Sequence, residues 1–237
     1  MALELATALP LTDDPVETPE TVPSWAAEAI VEAGRRMDAL GWVRATAGNL
    51  SVRVAEDRIA ITRSGCHKGF LAPDDVMLVD LAGRAVTPAR CSAETLLHCQ
   101  LYRLFPDVGA VLHGHSVAAT VLTMMAEQGA PPDRLVFSGY EVLKAFGFPT
   151  HEVEAVLPVF DNAQDIAALA ARIEPRLAAP GAEGEILEPG ALEGGAALGY
   201  ALRGHGVYAW GPDMPTARAR LEALEFLLAC ELERRKR

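Results

Sequence analysis

Apolar residues recur along the chain in two rhythms, and the changes of rhythm mark its elements. Between Ser24 and Leu40, the residues Ala27, Ile30, Val31, Met37 and Leu40 repeat at helical spacing, with Ser24 placed to cap the start and Gly41 to follow the end. Alternation with period two then appears in Leu50–Val54 and Arg58–Thr62, joined by a short acidic turn as a predicted hairpin, and again in Met77–Leu81. Ser92-Ala93-Glu94 opens a helical stretch to about Phe105, with Ser92 as its N-cap. An apolar run from Ala110 ends in His113-Gly114-His115. Helices are predicted over Val117–Ala126, Tyr140–Phe146 and Ala163–Leu177, the last capped by Asp161-Asn162 after a strand at Leu157–Phe160. Strands at Leu198–Leu202 and Gly206–Trp210 flank His205. A long helix from about Pro212 to Glu233 follows, with Leu221, Leu224, Phe226, Leu227 and Leu228 as its apolar centre. Gln128–Asp133 and Gly181–Gly195 read as loops, and residues 1–22, which lack periodicity, as a mobile tail. Short strands among helices predict an α/β sandwich on a mixed, mostly antiparallel sheet, formed as one domain by residues 23–237.

Composition removes several classes of function. The 237 residues are half apolar, enough for one substantial core. A net charge of −11 argues against a nucleic-acid partner, which needs clustered cations, but leaves room for a small phosphorylated ligand held by a few local donors. The four cysteines form no CxxC pair, which speaks against a disulfide framework or a thiolate metal site and suits a reducing, cytoplasmic setting. No basic segment precedes the apolar residues of the N-terminus, and no apolar run reaches membrane-spanning length.

The chemistry concentrates around the paired histidines. On a strand, His113 and His115 point to one side and can supply two of the three protein ligands of a catalytic zinc site. His205, between glycines that permit close backbone approach, is a good third. The same pair also fits a satisfied polar cluster at a strand end. Glu94 stands near the helix start, four residues before His98, either as a metal partner of that histidine or as a free proton-transfer group. Two Gly-containing polar turns, Thr46–Ser51 and Arg63–Gly69, could converge N–H groups and hydroxyls on an anion, with Lys68 supplying charge.

Taken together, Ala45–Ser51, Ser64-Gly65 with Lys68, Ser92-Ala93-Glu94, His113-Gly114-His115 and His205 give an order that resembles the class II (zinc-dependent) aldolase and epimerase superfamily over residues 24–236. The stretches Ser92–His98, Tyr140–Lys144, Thr150–Glu152, Arg203–Gly211 and Glu222–Leu227 are similar to its dehydratase branch. The resemblance implies a three-layer α/β/α sandwich and one Zn2+ per subunit, held by His113, His115 and His205. It also implies Glu94 as acid/base, and a substrate phosphate held around Asn49, Ser64, Gly65, Lys68 and Ser92. The reaction implied is dehydration of 5-methylthioribulose 1-phosphate to 2,3-diketo-5-methylthiopentyl 1-phosphate, a step of methionine salvage, by a homotetramer. An aldolase or epimerase of the fuculose- or ribulose-phosphate type would use the same constellation. Two departures stand out: Ala47 occupies a position where serine is expected, and the Gly181–Gly195 loop is long.

Overall fold

A computed structural model describes residues 19–125, 133–178 and 198–236. Most of the tail assigned to residues 1–22, nearly all of the Gln128–Asp133 loop and the whole Gly181–Gly195 connection lie outside them. The elements are α1 (Ser24–Ala39), β1 (Asn49–Ala55), β2 (Arg58–Thr62), β3 (Val76–Asp80), α2 (Thr95–Leu104), β4 (Ala110–Gly114), α3 (Val117–Met124), β5 (Arg134–Phe137), β6 (Ala155–Phe160), α4 (Ile166–Ala178), β7 (Tyr200–Leu202), β8 (Gly206–Gly211) and α5 (Met214–Arg234).

One eight-stranded sheet runs in the order β3-β2-β1-β4-β8-β7-β6-β5. Its neighbours are antiparallel except β6 and β7, so the sheet is mixed and mostly antiparallel, as the strand pattern predicts. Period-two alternation sorts the side chains into two cores. Leu50, Val52, Leu78, Leu112, Val207 and Ala209 face α1, α3 and α5, where they meet Ile30, Leu122 and Leu224. Ile59, Ile61, Val79, Val111, Tyr208 and Trp210 face α2 and α4, where they meet Leu97, Leu101 and Ile173. The result is the three-layer α/β/α sandwich. Among the described residues no helix is long and apolar enough to cross a membrane.

Several predicted details are corrected. The N-cap position of α1 is Pro23, and Ser24 lies inside the helix with no side-chain cap bond. Helix α2 begins at Thr95 rather than at Ser92, whose hydroxyl bonds Glu94 instead of capping. Helix α4 begins at Ile166, and Asp165 caps it by accepting from the Ala168 N–H at 3.0 Å. Leu40 and Phe226 stay exposed although their spacing puts them on apolar stripes. Strand β5, four residues long, forms where the sequence pattern predicts no strand. Gly41 does follow the C-terminus of α1: its N–H donates to Asp38 O and that of Trp42 to Met37 O, the pairing that closes a helix on a left-handed residue.

Helix α5 carries one unusual group into the core. Glu225 is buried against the α3 layer, its Oε1 without a hydrogen-bond partner. Burial pushes its carboxyl up to about 7, opposed by the Ser116 hydroxyl. The folded state therefore holds this proton more tightly than the unfolded chain, and the stability it confers is lost as pH rises from the ordinary carboxyl range through 7. Glu225→Gln should match wild type in urea unfolding near pH 5 and exceed it at pH 8; equal differences at both values would contradict this placement.

Candidate active site

The sheet register builds the site. Cross-strand partners share a face, and β4 aligns His113 with Asn49 on β1 and with Tyr208 on β8. The Tyr208 ring stacks on the His113 imidazole, with centroids 4.0 Å apart and planes inclined by 13°. His113 is fully buried, and its Nδ1–H donates to Val207 O at 3.0 Å, which leaves the lone pair on Nε2. His115 lies just past the end of β4, fixed by its own N–H donating to Trp42 O at 2.6 Å. Its Nε2 approaches His113 Nε2 to 2.9 Å.

The turn between β7 and β8 brings His205 to the same point. A Cβ on Gly206 would sit 2.2 Å from Gly114 O, so only glycine lets this turn close against β4. One ligand-capable nitrogen from each of His113, His115 and His205 lies within 4.8 Å of the others. Burial, reinforced by the neighbouring imidazoles, holds His113 well below its ordinary value. Burial takes His115 down to about 4 and lowers His205 against the pull of Glu94. Three neutral imidazoles converging from one buried and two half-buried positions are a donor set that fits a divalent transition metal with an open position.

Glu94 stands beside the cluster, not in it. Its Oε1 is 3.9 Å from His205 Nε2, and its Oε2 accepts from the Ser92 hydroxyl at 2.6 Å. The Ser92 hydroxyl also lies 3.3 Å from Asn49 Oδ1, which links the carboxylate to β1. The alternative pairing of Glu94 with His98 does not form. His98 is buried beneath the sheet with Nδ1 2.7 Å from Ser51 Oγ, and burial alone pushes it down to about 3.

A cleft of about 230 Å³ opens next to His115. It is lined by Asn49, Ser64, Gly65, Lys68, Ser92 and Glu94, every residue expected around a phosphate together with the acid/base. Thr46 and Arg63, the first residues of the two polar turns expected to converge on an anion, also line it. Ala47 is in the lining and brings no hydroxyl there. Cys66 turns its thiol to Asp75 Oδ1 at 3.2 Å, and His67 accepts the Gly69 N–H, so both serve the turn itself. His151 lies at the surface, its Nδ1 3.6 Å from Glu141 Oε2. Lys68 is 1% exposed, and its ammonium donates to Thr46 O at 2.8 Å and Cys66 O at 2.6 Å. Two of its three hydrogens clasp the two cleft loops together.

A family model for the class II aldolase and adducin N-terminal domain matches residues 28–232. The chain belongs to the class II aldolase family. Within it, the chain is 59% identical to a methylthioribulose-1-phosphate dehydratase of Granulibacter bethesdensis over 216 residues, covering 90% of this chain and 94% of that one. Identity to the enzyme of the same name from Gluconacetobacter diazotrophicus is 58%, over 89% of this chain and 94% of that one. Among solved class II aldolases, the L-fuculose-1-phosphate aldolase of Thermus thermophilus superposes with a TM-score of 0.65 at 25% identity, over 88% of this chain and 94% of that one.

The clasp made by Lys68 has a stability consequence apart from any ligand. Lys68→Met should leave two carbonyls short of a donor and lower stability by about 2–5 kcal/mol in urea unfolding without phosphate. An unchanged midpoint would mean the ammonium serves only the ligand.

Proposed function

We propose that the chain is a hydro-lyase that removes water from 5-methylthioribulose 1-phosphate, giving 2,3-diketo-5-methylthiopentyl 1-phosphate in methionine salvage. The observation that carries this reading is the adjacency of the three-histidine cluster, through His115, to a cleft lined by Glu94 and a polar cradle, in a chain 59% identical to a protein named for that activity. The substrate phosphate is held by N–H groups of Asn49, Ser64, Gly65 and Ser92 and by the Ser64 hydroxyl, with Lys68 and Arg63 supplying positive charge. These local donors let a protein of net charge −11 accept an anion.

The metal in this reading is Zn2+, one per subunit, held by His113, His115 and His205. When bound there it supplies Lewis-acid polarisation of the C2 carbonyl, which makes the C3 proton acidic. Glu94 takes that proton and delivers it to the C4 hydroxyl oxygen as the C4–O bond breaks. One water leaves, and the resulting enol tautomerises to the 2,3-diketone. Ser92 steers this transfer by holding one carboxylate oxygen and leaving the other toward His205.

The same reading carries a homotetramer in the cytoplasm. Val117, Val121 and Met124 give α3 an exposed apolar stripe of the kind a subunit contact would cover.

The test is a product assay on methylthioribulose 1-phosphate with wild type and Glu94→Gln. Mass spectrometry should show loss of one water, and the variant should lose about 100- to 10,000-fold in rate while keeping its metal. Dihydroxyacetone phosphate as product would mean that the C3–C4 bond breaks and would overturn the dehydratase reading.

A further inference from the structure

We propose that Asn162 is a positioning residue for His205, its side-chain oxygen fixing the imidazole in the tautomer whose Nε2 lone pair is free to bind metal. The inference rests on the three-histidine metal reading above.

Asp161-Asn162 has the composition of a helix cap, yet the helix it precedes starts at Ile166 and is capped by Asp165. Asn162 is thereby released from capping. Its Oδ1 accepts the N–H of Ala163 at 3.0 Å, which settles which end of the amide is oxygen. The same Oδ1 lies 3.3 Å from Nδ1 of His205. An amide oxygen can only accept, so Nδ1 carries the hydrogen and Nε2 carries the lone pair. Nε2 is the nitrogen that stands 3.9 Å from Glu94 Oε1, on the side of the cleft.

The backbone on both sides of this contact is clamped. Arg203 N–H donates to Phe160 O at 2.8 Å, and Arg203 Nε donates to Asp161 Oδ1 at 2.6 Å, so the segment that ends in Asn162 is tied to the turn that carries His205. From the other side, Thr123 Oγ1 accepts the N–H of Gly204 at 3.0 Å. With the turn held, the orientation of the ring is the freedom left, and Asn162 sets it. His113 obtains the same service from Val207 O, a backbone group that no substitution removes. For His205 the acceptor is a side chain, and it can be tested.

The experiment is a titration of the metal-free full chain with zinc against a chromophoric chelator, for wild type, Asn162→Leu and Asn162→Asp, with thermal unfolding of each metal-free protein. Asn162 is solvent-exposed, so all three should unfold at similar temperatures without metal. Asn162→Leu should bind zinc about 10- to 100-fold more weakly, the usual cost of losing an acceptor behind a ligating histidine, and Asn162→Asp should retain wild-type affinity because it keeps the oxygen. Wild-type affinity in Asn162→Leu, or equal weakening in both variants, would overturn the proposal. A wild-type chain that binds no zinc would overturn the metal reading itself, a separate outcome of the same titration.

Discussion

Strand β4 is hydrogen-bonded along both edges, to β1 on one side and β8 on the other, and this double pairing fixes everything at the site. A shift of one residue in either ladder would turn His113 to the opposite face, into the layer of α1, α3 and α5. In the register observed, His113 lies between Asn49 and Tyr208, so metal-type chemistry and anion-type chemistry start from adjacent strands. The two cores hold that register, because a slip would exchange the side chains of β4 between faces, carrying His113 into the layer of α1, α3 and α5 and Leu112 into the layer of α2 and α4, where neither has packing or hydrogen-bond partners shaped for it. The apolar packing of the sandwich and the placement of the polar site are one constraint.

Electrostatics then divides the labour. Burial keeps the three histidines neutral and therefore able to donate lone pairs, whereas the neighbouring cleft gathers Lys68, Arg63 and backbone donors without becoming a basic surface. Arg63 is tied to Asp75 by a 2.6 Å ion pair and Lys68 to two carbonyls, so both cations are held in place before any ligand arrives. Preorganisation of this kind lowers the ordering cost of binding. It also lets the overall charge stay negative.

Much of this was legible in the sequence because it follows from periodicity. The two-residue spacing of His113 and His115, the sheet class and all five long helices are local consequences of strand and helix geometry. His205 and Glu94 were legible by their neighbours, a glycine-flanked turn and a helix start. What escaped is what local rules cannot weigh. Ser92 and Asn162 each look like helix caps, since a hydroxyl or amide oxygen just before a helix ordinarily meets its free N–H groups. Both instead turn to side chains of the site, Ser92 to the Glu94 carboxylate and across to Asn49 on β1, Asn162 to the His205 ring. Phe226 repeats with the apolar centre of α5 yet stays exposed, because the spacing shows a stripe and not its width. Strand β5 is too short for alternation to register.

The proposed chemistry depends on His113, His115 and His205 holding one metal ion through ring nitrogens. X-ray absorption at the zinc edge, on protein loaded with one equivalent of zinc, tests it most directly. Three imidazole nitrogens at about 2.0–2.1 Å and a remaining light-atom ligand are expected, with imidazole scattering diminished in His205→Ala. A sulfur shell at about 2.3 Å, or a spectrum unchanged in that variant, would place the metal elsewhere and contradict it.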